Sequence, residues 1–232
     1  MPESGSYDVA TPVGTARAHA HPATGRRPRG TPATTLVLGH GAGGGIQARD
    51  LAALAVALPA GGTTVVLVEQ PWRVEGRKVA VAPERLDVAW AAVLADPQLK
   101  AVLHPRGGRL VVGGRSAGAR VACRTAAAAG ADAVVCLAFP LHPPGRPDRS
   151  RVAELVAADR QTLVLQGERD TFGGPSEVVT AAEAAAGDLP WLHVVPVPDA
   201  DHGFKVPAGA RLGQGGTLDL VVEAVTTFLR AR

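Results

Sequence analysis

The chain is poor in residue types that mark several protein classes. Its 232 residues include two cysteines, Cys123 and Cys136, and only 3% are aromatic. Two cysteines in apolar surroundings are too few for a disulfide scaffold, so we interpret them as buried free thiols. Scarce aromatics and a net charge of +3 without a dense basic run argue against a nucleic-acid partner, although the pI is about 9.3.

Long apolar runs and metal-ligand clusters are also missing from the sequence. No segment reaches the roughly 18 consecutive apolar residues that a membrane-spanning helix needs. The first residues, Met1–Tyr7, lack the basic start and apolar core of a secretory signal, so we expect a cytoplasmic protein without a membrane partner. His19 and His21 form a close histidine pair without a third ligand nearby, and we expect neither a metal nor a cofactor.

Short apolar runs alternate regularly with helical stretches along the chain. The runs are rich in β-branched residues, as in strands buried on both faces, and comprise Thr35–Leu38, Thr64–Val68, Leu110–Val112, Ala133–Leu137, Thr162–Leu165 and Leu192–Val195. Helices are predicted at Gln47–Leu58, Pro83–Leu94, Ser116–Ala129, Arg149–Ala158, Ser176–Ala186 and Thr217–Ala231. This alternation predicts an α/β fold, with a mostly parallel central sheet flanked by helices on both faces.

The length fits one large α/β domain, so we expect residues 1–232 to form a single domain. The first 30 or so residues are expected as edge strands or as a partly flexible N-terminal segment. Within them, Tyr7–His19 would supply one or two antiparallel edge strands.

A Gly-x-Ser-x-Gly element, Gly114-Arg115-Ser116-Ala117-Gly118, lies between an apolar run and an alanine-rich helical stretch. A serine on such a strand-to-helix turn projects its hydroxyl above the sheet, where it can act as a nucleophile. The small flanking residues let the strand and the helix approach closely. The same residues also suit an ordinary helix N-terminus, with Ser116 capping a free amide.

Two later loops supply the partners that a nucleophilic serine needs. Asp170 and His202 each follow an apolar run, and parallel strands place their loops at the same sheet edge as Ser116. The chain order Ser, Asp, His is the one used on α/β-hydrolase sheets. His202 could take the proton of Ser116, and Asp170 could fix the imidazole tautomer. Three other acids are alternatives to Asp170: Glu168, Asp199 and Asp201.

The glycine-rich loop after the first buried run, residues 38–45, is the fourth loop at this edge. In an acyl transfer it would supply one amide of an oxyanion hole, from Ala42, and Ala117 would supply the other. Each such donor stabilises the transition state by roughly 2.7–4 kcal/mol. We interpret His40 as bracing this loop.

The same loop also satisfies the dinucleotide fingerprint Gly39-x-Gly41-x-x-Gly44, and Glu69 ends the next run, where a ribose-binding acid would lie. Glu69 is further from the last glycine than is usual. This NAD(P)-binding alternative also leaves the serine, aspartate and histidine loops unexplained.

Together these segments resemble the α/β-hydrolase superfamily, and more narrowly its small, lidless dienelactone-hydrolase-like members and the hydrolase-like proteins called KANL/Tex. The matching segments lie between Thr34 and Phe204 and cover residues 38–44, 69–73, 76–77, 113–120, 140–146, 166–170 and 201–204. The resemblance implies an α/β-hydrolase fold, with Ser116 as nucleophile, Asp170 as acid and His202 as base. It implies no substrate. Some members work as subunits of larger assemblies, so a non-catalytic interaction module with a protein partner is an alternative.

Larger relatives insert a lid where this chain has only a short Pro-rich loop, Phe139–Asp148. Without a lid domain the serine should be open to solvent, which favours a small or extended acyl substrate. Four arginines on or beside these loops could form a cationic rim that selects a carboxylate- or phosphate-bearing substrate, namely Arg73, Arg77, Arg115 and Arg146. The alternative is that these are merely solvated arginines in an arginine-rich protein.

The sequence therefore predicts a serine hydrolase that cleaves a small or solvent-accessible carboxylic ester, thioester or related acyl bond. The substrate would be a small molecule, and the reaction would proceed through Ser116, His202 and Asp170.

Overall fold

A computed structural model describes residues 5–27, 29–104 and 107–231, and these form an eight-stranded sheet in the order β1-β2-β4-β3-β5-β6-β7-β8. The strands are β1 (Gly5–Thr11), β2 (Gly14–His21), β3 (Thr34–Gly39), β4 (Thr63–Glu69), β5 (Arg109–Arg115), β6 (Ala133–Leu137), β7 (Gln161–Gly167) and β8 (Leu192–Val197). From β4 to β8 every neighbouring pair is parallel, whereas β1 and β2 pair antiparallel at one edge. The predicted α/β-hydrolase architecture and the antiparallel edge strands are confirmed.

Helices cover both faces of this sheet. They are α1 (Arg49–Ala57), α2 (Pro71–Val74), α3 (Pro83–Leu94), α4 (Lys100–Leu103), α5 (Ala117–Thr125), α6 (Val152–Val156), α7 (Pro175–Ala186) and α8 (Gly213–Arg230), with a short 3-10 helix at Leu58–Gly61. Side chains of α1 and α8 pack on one face, and those of α3, α5, α6 and α7 on the other. No helix in the described ranges is both long and apolar enough to cross a membrane.

The central strands have no polar alternation because both of their faces are covered. Every residue of β3 and of β6 is buried. Full burial selects apolar and β-branched residues on both faces, which is the pattern that predicted these strands.

Helices α5 and α6 are much shorter in the structure than the sequence indicated, and α1 is shorter by three residues. Helix α5 stops at Thr125, four residues before the predicted end at Ala129. Helix α6 begins only at Val152. The Arg151 amide donates to the carbonyl of Leu141 (2.7 Å), which ties that amide to the preceding loop. Tertiary bonds of this kind set helix boundaries that local propensity does not reveal.

The connection from β6 to α6, residues 138–151, contains no helix, so the site edge carries no lid. The two thiols lie beneath this edge. Cys123 in α5 and Cys136 in β6 are free and buried, with their sulfur atoms 3.4 Å apart. The interpretation as buried free thiols is confirmed.

Candidate active site

Ser116 occupies a strained turn between β5 and α5. Its backbone has φ 53° and ψ −109°, a conformation that non-glycine residues rarely adopt. Such strain costs about 1–3 kcal/mol and persists only where the surrounding structure enforces it. Its amide is held by the carbonyl of Leu137 on β6 (3.0 Å).

The glycines around Ser116 let two backbones approach more closely than side chains would allow. A Cβ atom on Gly118 would collide with the carbonyl oxygen of Gly39 at the end of β3. A Cβ atom on Gly114 would meet the same oxygen. The Gly-x-Ser-x-Gly spacing is therefore required by the close packing of α5 on β3, as the sequence indicated.

The Ser116 hydroxyl points to histidine and not to the helix. It makes no capping hydrogen bond to α5. Its Oγ instead lies 2.9 Å from Nε2 of His202, in the loop after β8. Ser116 therefore occupies the N-cap position of α5, but its side chain does not cap a free amide of the helix.

His202 connects Ser116 to a buried acid. Its Nδ1 lies 2.8 Å from Oδ2 of Asp170, in the loop after β7. Because an ionised carboxylate can only accept, Nδ1 carries the proton and Nε2 is free to accept the Ser116 hydroxyl proton. The Asp170 side chain is 0% exposed and the His202 side chain 20% exposed, so the acid lies beneath the base.

Two residues that the sequence did not single out fix this pair. Gln166, at the end of β7, donates from Nε2 to Oδ2 of Asp170 (3.0 Å), and the amide of Phe172 donates to Oδ1 (2.8 Å). The Phe172 ring stacks on the His202 imidazole with centroids 4.1 Å apart. Gln166 stands four residues before Asp170 in a segment that the sequence did mark, but only the fold shows that its amide turns inward.

The three alternative acids accept hydrogen bonds from backbone amides and not from His202. Glu168 accepts from the amide of Asp199 (3.2 Å), and Asp199 accepts from the amide of Arg211 (3.3 Å). Asp201 accepts from the amides of Gly203 and Lys205, at 2.7 Å and 2.9 Å. Asp170 is the carboxylate that bonds His202.

The glycine-rich loop after β3 lies directly against the serine. A Cβ atom placed on Gly41 would be 3.4 Å from Cβ of Ser116. Among the hydrogen bonds of the described residues, the amides of Ala42 and Ala117 donate to no protein acceptor. Two free amides beside a nucleophile are what an oxyanion requires.

His40 braces this loop, as predicted. Its Nε2 accepts from the amide of Gln70 (3.1 Å), so its Nδ1 carries the proton and donates to the carbonyl of Gly41 (2.9 Å). Burial lowers the pKa of His40, which keeps the ring neutral in this arrangement. The ring also contacts Trp72 edge-on, with centroids 5.3 Å apart.

Arg115, which precedes Ser116, anchors the histidine loop from below. Its Nη2 donates to the backbone carbonyl of His202 (2.6 Å), and its Nε lies 3.5 Å from Oδ2 of Asp50. The Asp50 side chain is fully buried, and burial raises its pKa while the charge of Arg115 opposes that effect. Arg115 therefore links a buried acid to the main chain of the base.

A cavity of about 720 Å³ opens above Ser116. One side, which we call the catalytic wall, consists of the loop 41–45, Ser116, Phe172 and His202. Another side, the arginine wall, consists of Arg120, Pro140 and Arg151.

The cationic rim predicted from Arg73, Arg77, Arg115 and Arg146 is not brought together at this cavity. Of the four, Arg115 lines the cavity, and its bonds turn it toward His202 and Asp50. Arg77 pairs with Glu75 and Arg146 with Asp148, both on exposed surface away from the cavity lining. Arg73 lies next to Gly45, with its Nε 3.4 Å from the position of a Cβ atom there, and it does not line the cavity. Loop position in the sequence did not reveal the direction of these long side chains.

The described residues contain no group of three or more histidine, cysteine, aspartate or glutamate side chains that could hold a metal ion. Around Ser116 the structure brings together a serine hydroxyl, a histidine ring, a buried carboxylate and two backbone amides without a protein acceptor.

The sequence model of the alpha/beta hydrolase domain family matches residues 32–230. The chain belongs to this family. The hydrolase fold also explains the glycine-rich loop, which abuts Ser116 and not a nucleotide pocket, so the NAD(P)-binding alternative is not supported.

Solved structures share this hydrolase's fold over nearly its whole length. XC6422 from Xanthomonas campestris, described as an α/β serine hydrolase without a lid, is 21% identical, with 100% of this chain and 98% of that chain covered and a TM-score of 0.67. A dienelactone hydrolase from Anabaena variabilis is 19% identical, with 99% of each chain covered and a TM-score of 0.65. Est1E from Butyrivibrio proteoclasticus is 13% identical, with 98% and 100% covered and a TM-score of 0.67. No curated protein sequence matches the chain significantly.

Proposed function

We propose that this hydrolase cleaves a small or solvent-accessible carboxylic ester, thioester or related acyl bond through an acyl-enzyme on Ser116. The observation that carries the proposal is the continuous hydrogen-bonded chain from Asp170 through His202 to Ser116. An isolated serine hydroxyl is a weak nucleophile. The two hydrogen bonds connect it to a base, His202, and to an orienting acid, Asp170, which activate it.

In the first step, Oγ of Ser116 attacks the acyl carbon while Nε2 of His202 accepts the hydroxyl proton. Asp170 stabilises the imidazolium that forms, and it is held for this task by Gln166 and by the amide of Phe172. The negative charge on the former carbonyl oxygen would be stabilised by the amides of Ala42 and Ala117.

In the second step, the imidazolium gives its proton to the leaving alcohol or thiol, and the acyl group stays on Ser116. Water then enters the open cavity, and it attacks the acyl carbon while His202 accepts one of its protons. The imidazolium returns this proton to Oγ of Ser116 as the acyl–oxygen bond breaks, which releases the acid and restores the serine and the histidine. No step requires a cofactor.

An acyl ester suits the shape of the site. The cavity is roomy and has no lid, so it can admit a small or extended substrate without a closing motion. Structural neighbours include proteins described as an esterase from Pyrococcus furiosus and as a dienelactone hydrolase, which supports the same reaction class.

Turnover of nitrophenyl esters of increasing acyl length tests the proposal. We expect the wild-type protein to hydrolyse the short esters and the Ser116→Ala protein, with unchanged circular dichroism, to be inactive. A folded wild-type protein that hydrolyses no ester or thioester of the series would contradict the proposal and favour a non-catalytic interaction module.

A further inference from the structure

The lining of the cavity above Ser116 contains several positively charged side chains. Four arginines contribute to it, Arg49, Arg115, Arg120 and Arg151, and the described lining contains no aspartate or glutamate. An anion entering the cavity would therefore find guanidinium groups without competing carboxylates on the surface. Which arginine is available depends on its existing partners.

Arg120 is already neutralised. It forms a two-point bond with Glu154, at 2.7 Å and 2.6 Å, and Glu154 also accepts from Arg124 (2.6 Å). Burial alone would raise the pKa of Glu154, but the two arginines outweigh burial and lower it. This carboxylate is ionised and its oxygens are occupied, so it has little capacity to serve a third cation.

Arg151 stands beside this cluster and forms no ion pair among the described residues. Among the described residues, the one hydrogen bond of its side chain runs from Nη1 to the carbonyl of Pro140 (3.1 Å). A guanidinium carries several N–H donors, so most of those of Arg151 remain without a protein acceptor. Burial lowers the pKa of Arg151, and the charge of Arg120 lowers it further against the weaker opposing effect of Glu154.

The other two cavity arginines are used differently. Arg115 is committed to His202 and Asp50. Arg49 lies on the exposed rim and donates to the neutral amide oxygen of Gln214 (2.7 Å). Arg151 is therefore the half-buried cation of the cavity whose charge the protein itself does not balance.

We propose that Arg151 binds an anionic group of the substrate, a carboxylate or a phosphate, on the arginine wall while the acyl carbon lies at Ser116. A planar guanidinium fits the two oxygens of such a group, and the partly buried setting strengthens the bond. This inference rests on the proposed function and specifies its substrate class.

Three nitrophenyl esters test this specificity. They are the mono-ester of succinate, its neutral methyl-capped analogue, and the ester of phosphonopropionate. We expect Arg151→Gln to lower kcat/KM for one or both anionic esters by about 10- to 100-fold, mainly through KM, because a charge-assisted bond is lost. Turnover of the neutral ester should not change. The comparison of the succinate and phosphonate esters identifies which anion the wall prefers.

Arg146→Gln is the matched control, since it removes the same charge from the same β6–α6 connection. Arg146 pairs with Asp148 on the surface and does not line the cavity. We expect it to change neither anionic nor neutral turnover. Equal losses from Arg151→Gln on charged and neutral esters, or an Arg146→Gln loss as large as that of Arg151→Gln, would overturn the inference.

Binding without turnover separates this inference from the proposed function. Calorimetric titration of the Ser116→Ala protein with monomethyl succinate and with inorganic phosphate should show binding of at least one anion, which Arg151→Gln abolishes. Absence of binding to both anions overturns the Arg151 inference. If the wild-type protein hydrolyses no ester while the Arg151-dependent binding is present, only the proposed reaction fails.

Discussion

The two walls of the cavity differ in how many of their polar and charged side chains find partners within the protein. On the catalytic wall, the side chains of Ser116 and His202 bond each other, and Asp170 behind them accepts from His202, Gln166 and the Phe172 amide. On the arginine wall, Arg151 keeps a charge that no carboxylate of the described residues neutralises. The groups to which we assign the chemistry are held in place before substrate arrives, whereas the group we assign to recognition still lacks its partner.

This difference has a physical reason. A catalytic constellation must be positioned in advance, because reorganisation during the reaction would raise the barrier. A recognition site gains affinity by leaving donors for the ligand to satisfy. Variants of the two walls should therefore change different kinetic constants.

Loss of the base on the catalytic wall gives the largest effect. We expect His202→Ala to lower kcat on the order of 10⁴- to 10⁶-fold for neutral and anionic esters alike, because the serine loses its proton acceptor. Steady-state kinetics measure this loss. His193→Ala, which removes an exposed histidine from β8, is the control and should retain activity. A loss of kcat in His202→Ala that is confined to anionic esters would contradict the assignment of chemistry to the catalytic wall and of recognition to the arginine wall.

The acid comes next. Asp170→Asn should lower kcat by about 10⁴-fold with little change in KM, because the amide no longer fixes the productive imidazole tautomer. Glu168→Gln changes a nearby exposed acid of the same loop and should leave kcat unaltered. A large loss of kcat in Glu168→Gln, with activity kept in Asp170→Asn, would show that Glu168 and not Asp170 is the acid.

Replacing Arg115 tests whether this arginine supports the catalytic wall or takes part in substrate recognition. Arg115→Met should lower the free energy of unfolding by roughly 3 kcal/mol, because it leaves buried Asp50 unpaired, and adding Asp50→Asn should restore part of it. Urea unfolding measures both. The remaining kcat should fall equally for neutral and anionic esters with KM unchanged, since Arg115 positions the His202 loop. A loss specific to anionic esters would instead place Arg115 in substrate recognition, as the rim hypothesis stated.

The smallest effect concerns pH. Because burial lowers the pKa of His40 below 6.5, the unfolded chain takes up a proton before the folded one does as pH falls. The stabilisation from neutral His40 is thus fully present above pH 6.5 and is lost as pH falls toward the lowered pKa. Urea unfolding from pH 7 to pH 5 should show a steeper loss for the wild type than for His40→Gln. His193→Gln alters an exposed histidine and should show the same pH dependence as the wild type. If the free energy of unfolding depended on pH identically in all three proteins, the stabilising role of neutral His40 would be contradicted.

Much of the catalytic wall could be predicted from the sequence, because its residues follow strands. Parallel strands end at one edge, so Ser116, Asp170 and His202 could be placed together from chain order and run boundaries alone. The glycines at positions 114 and 118 also indicated the tight turn that carries Ser116, because the close approach of the two backbones excludes side chains there.

The arginine wall could not be predicted in this way. Arg120 lies inside α5, at the end of the matching segment 113–120, and Arg151 immediately precedes α6, but no motif shows which way either side chain points. Long side chains reach across several residues, so which arginine faces the cavity depends on tertiary partners such as Glu154 and the Pro140 carbonyl. For the same reason Arg77 and Arg146, chosen for their loops, point to surface carboxylates.

Labelling with a fluorophosphonate, which reacts preferentially with an activated serine, tests directly whether Ser116 is the nucleophile. We predict a single adduct on the folded wild-type protein, mapped by peptide mass to Ser116, absent from Ser116→Ala and strongly slowed in His202→Ala. No adduct on folded wild type, or an adduct that survives Ser116→Ala, would contradict the account.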